Sequence, residues 1–212
     1  MMRPYRRTII VILAILLAVG LVAGGVLAVS GLIKSRKRAE KDYTISERAS
    51  EALEYASKHK LKDNYVLLLD YSIPSGTPRL FVWSFSENKI VARTYVMHGV
   101  GGGSSAEKPV FSDKMGSKCS TLGKFKVTKK HGSKLKRSYR LIGLERSNRN
   151  AFKRGIMIHR SVWVDSWHWK KFIPLHEASC QGCVTVSSKG MNYLEKLIMS
   201  ETKPLLLWSY YD

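Results

Sequence analysis

Cys183 follows a glycine in the run Ser179-Cys180-Gln181-Gly182-Cys183-Val184, and His159 closes the strand-like run Gly155-Ile156-Met157-Ile158-His159. A thiol directly after a glycine suits nucleophilic work, because the small residue leaves room for a substrate carbonyl beside the sulfur. A histidine on a separate strand can take the thiol's proton, since the partners of such dyads meet in space and not in sequence. The pair points to cysteine acyl-transfer chemistry.

Two other chemistries would use overlapping residues. Cys180 and Cys183 have the C-x-x-C spacing of thiol oxidoreductases, whose first cysteine sits at a helix N-terminus where the dipole lowers its pKa. Here Val184-Thr185-Val186 follows, a β-type run unsuited to opening a helix. His176, Cys180 and Cys183, with His159 or His168 as a fourth, are plausible zinc ligand types but lack the paired knuckle spacing of a strong zinc motif, so no metal is expected. The three cysteines, with Cys119, make no disulfide framework for a chain of this size, and one or more of them is a free thiol. Gly99-Val100-Gly101-Gly102-Gly103-Ser104 has a phosphate loop's composition without its context: no helix-forming stretch follows and no Gly-Lys-Ser/Thr closes it, so it reads as a flexible loop after a strand. Trp163, Trp167 and Trp169 read as core packing by default, with a peptide groove as the alternative. His59, His98 and His131 read as strand-end or surface positions.

The elements that must position these residues are many and short. Tyr65–Tyr71 is an apolar run ended by Pro74, Gly76 and Pro78. Arg79–Phe85 and Ile90–His98 flank Ser86-Glu87-Asn88-Lys89 as a hairpin with a four-residue turn. Further strands are expected at Lys124–Thr128, Tyr139–Leu144, Gly155–His159 and Leu205–Tyr210. Helices are expected from an N-cap at Ser46 to about His59, with Ala49, Ala52, Leu53 and Ala56 on one face, and from Ser188 to about Ser200, with Met191, Leu194, Leu197 and Ile198 inward. Many strands and two helices imply a mainly β (α+β) domain, a sandwich or partly open barrel.

Thr8 to Ile33 carries no charge and is almost wholly apolar. As a helix it would span ~39 Å, enough to cross a ~30 Å hydrocarbon core with some tilt; it exceeds the h-region of a cleaved signal, though Val26-Leu27-Ala28 would pass as a cleavage site. The organisation expected is therefore a short N-terminus at 1–7, a transmembrane anchor at 8–33, a charged linker and helix at 34–64, and a folded domain at 65–212. Arg3, Arg6 and Arg7 precede the span, and Lys34, Arg36, Lys37, Arg38 and Lys41 follow it. Charge alone leaves the orientation open, because long domains translocate largely regardless of flanking charge.

The 212 residues carry 36 Lys+Arg against 16 Asp+Glu, a net +20. With Arg3, Arg6 and Arg7 set aside, 33 basic residues face the same 16 acidic ones, so the part beyond the span is +17. That surface suits anionic partners: nucleic acid, acidic headgroups or an anionic wall polymer. The aromatic–basic signatures of RNA-binding motifs are missing, so nucleic acid is not the expected partner.

From Asp70 to the C-terminus the sequence resembles the murein L,D-transpeptidase catalytic-domain proteins of bacteria. The ordered blocks that carry this are Asp70-Tyr71-Ser72 with Arg79, His98-Gly99 with its glycine-rich loop, Phe111-Ser112 with Gly116-Ser117, and Ser120-Thr121-Leu122-Gly123. Gly143-Leu144-Glu145, Asn150-Ala151, Arg154 through His159, and Gly182-Cys183 follow. The resemblance implies Cys183 as nucleophile, His159 as base, the backbone carbonyl of Arg160 orienting the imidazole, and the N–H groups of Gly182 and Cys183 as the oxyanion hole. It puts the substrate side on Ser179, Gln181, His98 and Gly99. Cys180 stands where such proteins usually have Ser or Thr, Gln181 fills a position that is often histidine, and Arg160 replaces a commoner small residue.

The implied substrates are peptidoglycan stem peptides, with no metal or organic cofactor. The implied place is the inner (cytoplasmic) membrane, single-pass, with the catalytic domain on the periplasmic side. Two rival classes are a wall-binding module that has lost activity and a membrane-tethered, basic nucleic-acid-binding protein.

Overall fold

A computed structural model of the chain describes residues 4–131, 137–200 and 202–212, with side chains placed for all of these but 4–19, 21–23, 37–43 and 130–131. The chain divides into two compact units, residues 1–45 and 46–212. One helix, α1 (Pro4–Lys58), runs from the first unit into the second. The helix expected to begin at an N-cap at Ser46 is the last part of this longer one. No glycine or proline interrupts residues 32–62, and the charged stretch Lys34–Asp42 is built of good helix formers, so nothing ends the helix. Among the described residues no helix is long and apolar enough to cross a membrane. Most of the run expected to span, residues 8–33, lies outside the described side chains.

The second unit is a nine-stranded sheet, in chain order β1 (Tyr65–Asp70), β2 (Leu80–Ser84), β3 (Lys89–Thr94), β4 (Val96–Met97), β5 (Gly123–His131), β6 (Ser138–Gly143), β7 (Met157–Arg160), β8 (Val184–Val186) and β9 (Leu205–Tyr210). Their order across the sheet is β3-β2-β1-β9-β5-β6-β7-β8-β4. The two edge strands, β3 and β4, are consecutive in the chain with Tyr95 alone between them. A sheet whose opposite edges are joined by one residue has to curl until those edges meet, which makes this a nearly closed, barrel-like sheet. Pairing is antiparallel except for β1 with β9 and β7 with β8.

Alternation along the strands sends one set of side chains inward. Leu67 and Leu69, Leu80 and Val82, Phe125 and Val127, Tyr139 and Leu141, and Leu205 and Leu207 join one buried cluster. α3 (Ser188–Ser200) adds Met191, Leu194, Leu197 and Ile198, the stripe its sequence announces. The opposite parity of β9 lies under α1: Arg48 stacks on Trp208 and Tyr210, at 4.9 and 3.9 Å from the ring centroids, and pairs with Asp212. Ala49, Ala52 and Ala56 are fully buried on that helix face, while Leu53 is half-buried.

The 3-10 turn Arg146–Asn148 was not expected, and neither was the short α2 (Val162–Trp167). Its composition of valine, tryptophan and serine favours a strand. Ser161 caps it by accepting the Trp163 N–H, and Asp165 accepts from both the backbone N–H and the hydroxyl of Ser188. Tertiary contacts override local propensity here.

Candidate active site

The parallel pair β7–β8 puts the two chemistry-bearing residues together. Its register sets Ile158 opposite Val184 and His159 opposite Thr185. Side chains two apart on a strand share a face, so Met157 and His159 on one strand face the same way as Cys183 and Thr185 beside them. His159 and Cys183 are thus diagonal neighbours on one face, one strand across and two positions along.

The imidazole is held in one tautomer. Nδ1 lies 2.9 Å from the carbonyl oxygen of Arg160, which can only accept, so Nδ1 carries the proton and Nε2 presents a lone pair. His159 is 7% exposed, and burial keeps its pKa below the ordinary histidine value, so the ring is neutral at neutral pH. Nε2 faces Thr185 Oγ1 at 3.4 Å, and the same hydroxyl is 3.1 Å from the carbonyl of Ser179. One hydroxyl proton serves two acceptors. Among the described residues no hydrogen bond joins the Cys183 thiol to His159.

Cys183 is half-buried, and desolvation raises its pKa above the ordinary thiol value. A hydrogen bond from the Met157 backbone and the positive charges of Arg154 and Arg140 act the other way, favouring the thiolate. Gly182 before it has φ +101°, and a Cβ there would stand 2.4 Å from the carbonyl oxygen of Cys119 and 3.0 Å from Nη2 of Arg154. Only glycine fits, for both reasons. The Gly182 backbone also acts on Cys180, favouring its thiolate against burial. Cys180 itself is 1% exposed, sits 3.1 Å from the carbonyl oxygen of Cys183 as a donor, and has its pKa pushed up to about 12 by burial. All three cysteines are free thiols.

Arg154 organises the wall of the site. Its guanidinium, whose side chain is 3% exposed, donates to the carbonyls of Ser112 (2.7 Å) and Cys119 (2.7 Å), to Ser117 Oγ (3.1 Å) and to Thr121 Oγ1. Asp113 lies 3.7 Å away as counter-ion. These bonds pin residues 112–121 against Gly182. A second buried arginine, Arg79, donates to the carbonyls of Val96 (2.9 Å) and Ile73 (3.0 Å) and to Nδ1 of His98 (3.2 Å). Nε2 of His98 then donates to the Ser105 carbonyl at 2.8 Å.

His98 is therefore neither a surface residue nor one with a free nitrogen: it is 1% exposed and braces the glycine-rich loop. Burial and the neighbouring guanidinium depress its pKa to about 4. Gly99 packs where a Cβ would meet the Lys118 carbonyl oxygen at 2.4 Å, and its N–H donates to Ser120 Oγ. Ser179 is half-buried with its hydroxyl 3.0 Å from His176 Nδ1, and Gln181 is exposed. Among the described residues no group of three His, Cys, Asp or Glu side chains is gathered to hold a metal. His176 instead stacks on Trp163, with ring centroids 4.2 Å apart.

Arg154 and Thr185 were not singled out as site residues from the sequence. Thr185 carries a signal, since it lies two places after Cys183 and must share its face. Arg154 resembles the other basic residues until its burial is seen.

The L,D-transpeptidase catalytic domain family matches residues 37–208. No curated protein matches the sequence. Two solved structures of the helical cell shape determining protein Pgp2 from Campylobacter jejuni, the protein itself and a point mutant, align at 13% and 14% identity with TM-scores of 0.43 and 0.45. They cover 71% of this chain and 49% and 48% of theirs, so the chain spans about half their length.

Proposed function

The chain belongs to the L,D-transpeptidase catalytic domain family, and from that premise we propose that it is a cysteine acyltransferase acting on peptidoglycan stem peptides. His159 Nε2 takes the thiol proton as Cys183 Sγ attacks the carbonyl on the L-centre of the third stem residue. The carbonyl π-pair moves onto oxygen, and the N–H groups of Cys183 and Gly182 receive the oxyanion. Collapse expels the terminal D-alanine, whose nitrogen takes the proton held by His159, and leaves a thioester. An amine of a second stem, or water, then attacks the thioester, gives up a proton to His159 and releases the thiol. The Nδ1–H bond to the Arg160 carbonyl keeps the ring in the tautomer this sequence needs and stabilises the imidazolium that forms. A single oxyanion donor is typically worth ~3–4 kcal/mol to such a transition state.

The observation that carries the reading is the tautomer-locked, neutral imidazole on the same face of β7–β8 as a half-buried thiol after a glycine. Thiol and imidazole are not yet hydrogen-bonded, and such contacts commonly tighten only when substrate is bound. The same reading places residues 8–33 across the membrane as an anchor, N-terminus inside, with the catalytic domain on the outer side where stem peptides exist. Mass spectrometry of muropeptides after incubation with the purified domain tests the function. Loss of terminal D-alanine, or a 3→3 cross-link, is expected from the parent and not from Cys183→Ala. Unchanged muropeptides with both would refute it.

A further inference from the structure

Between β7 and β8 the chain builds a ridge of rings that the chemistry of Cys183 and His159 does not use. His176 stacks on Trp163, Trp163 lies 5.7 Å from Trp167, and Trp167 stacks on Trp169 at 6.0 Å. Trp169, at the open end, is 70% exposed. Single exposed apolar residues are ordinary, but a continuous stack that ends in an exposed indole is a patch with a use.

The exposure is built in. Trp163 Nε1 donates to the Pro174 carbonyl at 2.7 Å and Trp169 Nε1 to the Ser166 carbonyl at 2.9 Å. With both N–H groups satisfied internally, what these two indoles offer a ligand is ring face. Lys170 lies over Trp167 and Trp169, at 4.7 and 5.4 Å from their centroids, beside the exposed Lys171.

The ridge is also joined to the site. Trp163 and Trp167 pack against the cluster of Met97, Val164, Ile173 and Cys180. From His176 the contacts continue through the Ser179 hydroxyl, at 3.0 Å, and the Ser179 carbonyl to Thr185 Oγ1, which faces His159 Nε2. A surface for lipid would need no such connection. A surface for another part of the substrate would.

We propose that the Trp167–Trp169 face binds the hexosamine rings of the glycan strand whose stem peptide enters the Cys183 site. Flat CH-bearing sugar faces match indole faces held in a fixed stack, with the Trp169 N–H already taken, and the flanking lysines match carboxylates on the attached peptide. This rests on the reading of the chain as a peptidoglycan acyltransferase.

The test compares the full chain with Trp169→Ala, whose exposed side chain lies outside the core. Isothermal titration uses chitotetraose, a β-1,4-linked N-acetylhexosamine oligomer. Kinetics give the ratio of kcat/KM for a glycan-linked stem peptide to that for the free peptide. Binding of chitotetraose by the parent is expected, weakened in Trp169→Ala, with the kcat/KM ratio falling roughly 3–10-fold, the size of one stacked-ring contact. A ratio unchanged by the substitution, or a parent that does not bind chitotetraose, overturns the proposal. So does a parent that binds phosphatidylglycerol vesicles through Trp169 and ignores the sugar. If the parent turns over neither peptide, the acyltransferase reading fails, and the titration alone then decides the sugar site.

Discussion

Replacing Arg154 with methionine removes the charge and the fork but keeps an unbranched side chain of similar reach. The carbonyls of Ser112 and Cys119 each lose a 2.7 Å bond from a guanidinium, and Asp113, whose Oδ1 has no other partner among the described residues, loses its counter-ion. The Ser112 carbonyl keeps the Thr121 hydroxyl, which donates to it at 3.1 Å, while the Cys119 carbonyl is left without a donor among the described residues. Hydrogen bonds to charged groups contribute ~1.5–3 kcal/mol each, so the two lost guanidinium–carbonyl bonds predict a loss of ~3–6 kcal/mol. At ~2–4 °C per kcal/mol for a domain of this size, the melting temperature should fall by roughly 6–24 °C. The same change removes a positive charge that favours the Cys183 thiolate, so the pH profile of iodoacetamide alkylation should move to higher pH. Arg154→Lys separates the two effects: it restores the charge and most of the alkylation profile but not the fork, and so only part of the melting temperature. Calorimetry and a pH series of alkylation rates measure both. A methionine variant that melts within about 2 °C of the parent and alkylates with the same profile would refute the assignment.

Iodoacetamide at one equivalent should modify Cys183 and spare Cys180, which is buried with its pKa near 12; mass mapping that finds the adduct on Cys180 or Cys119 alone moves the nucleophile elsewhere. His159→Ala should leave circular dichroism largely intact and slow acylation by ~10²–10⁴-fold, and a near-normal rate would return His159 to a structural role. Both buried histidines have pKa values below 6.5, so the unfolded chain takes up their protons first as the pH falls. Stability is therefore complete above 6.5 and lost between 6.5 and about 4, with His98 accounting for ~3 kcal/mol, and a melting temperature flat across that window contradicts the burial argument. Protease added to intact spheroplasts should degrade the catalytic domain while cytoplasmic markers survive; a protected domain reverses the proposed topology.

The parts of the fold legible in the sequence are those where burial on one face imposes a period. β9 (Leu205–Tyr210) and α3 (Ser188–Ser200) fall where their patterns put them, and β1, β2, β5 and β6 differ from expectation only at their ends. The parts that were not legible depend on partners far away in the chain. α2 exists because Ser161 and Asp165 hold it. The charged stretch after Ile33 is helical because nothing interrupts it, and no local cue separates a helical linker from an extended one. His98 looked like a surface residue because the guanidinium that buries it is nineteen places away, at Arg79.

The candidate site divides the same way. Gly182, Cys183 and His159 are visible as residue types in a pattern, and the register of β7 with β8 does the rest. The electrostatics are not visible, because they come from Arg154 and Arg140, two basic residues among 36. The departure at Cys180 shows the limit most clearly. In sequence it suggests redox or metal chemistry, because two cysteines lie three apart. In the fold its thiol is a donor 3.1 Å from the Cys183 carbonyl oxygen, and the Gly182 backbone lowers its pKa against burial. A serine or threonine hydroxyl could make the same contact, and the resemblance would put one there. Sulfur makes it more weakly and adds apolar bulk to the cluster with Met97, Val164 and Ile173 that also roots the tryptophan ridge. The substitution therefore keeps the backbone turn that presents Cys183, and exchanges hydrogen-bond strength for packing under the indoles.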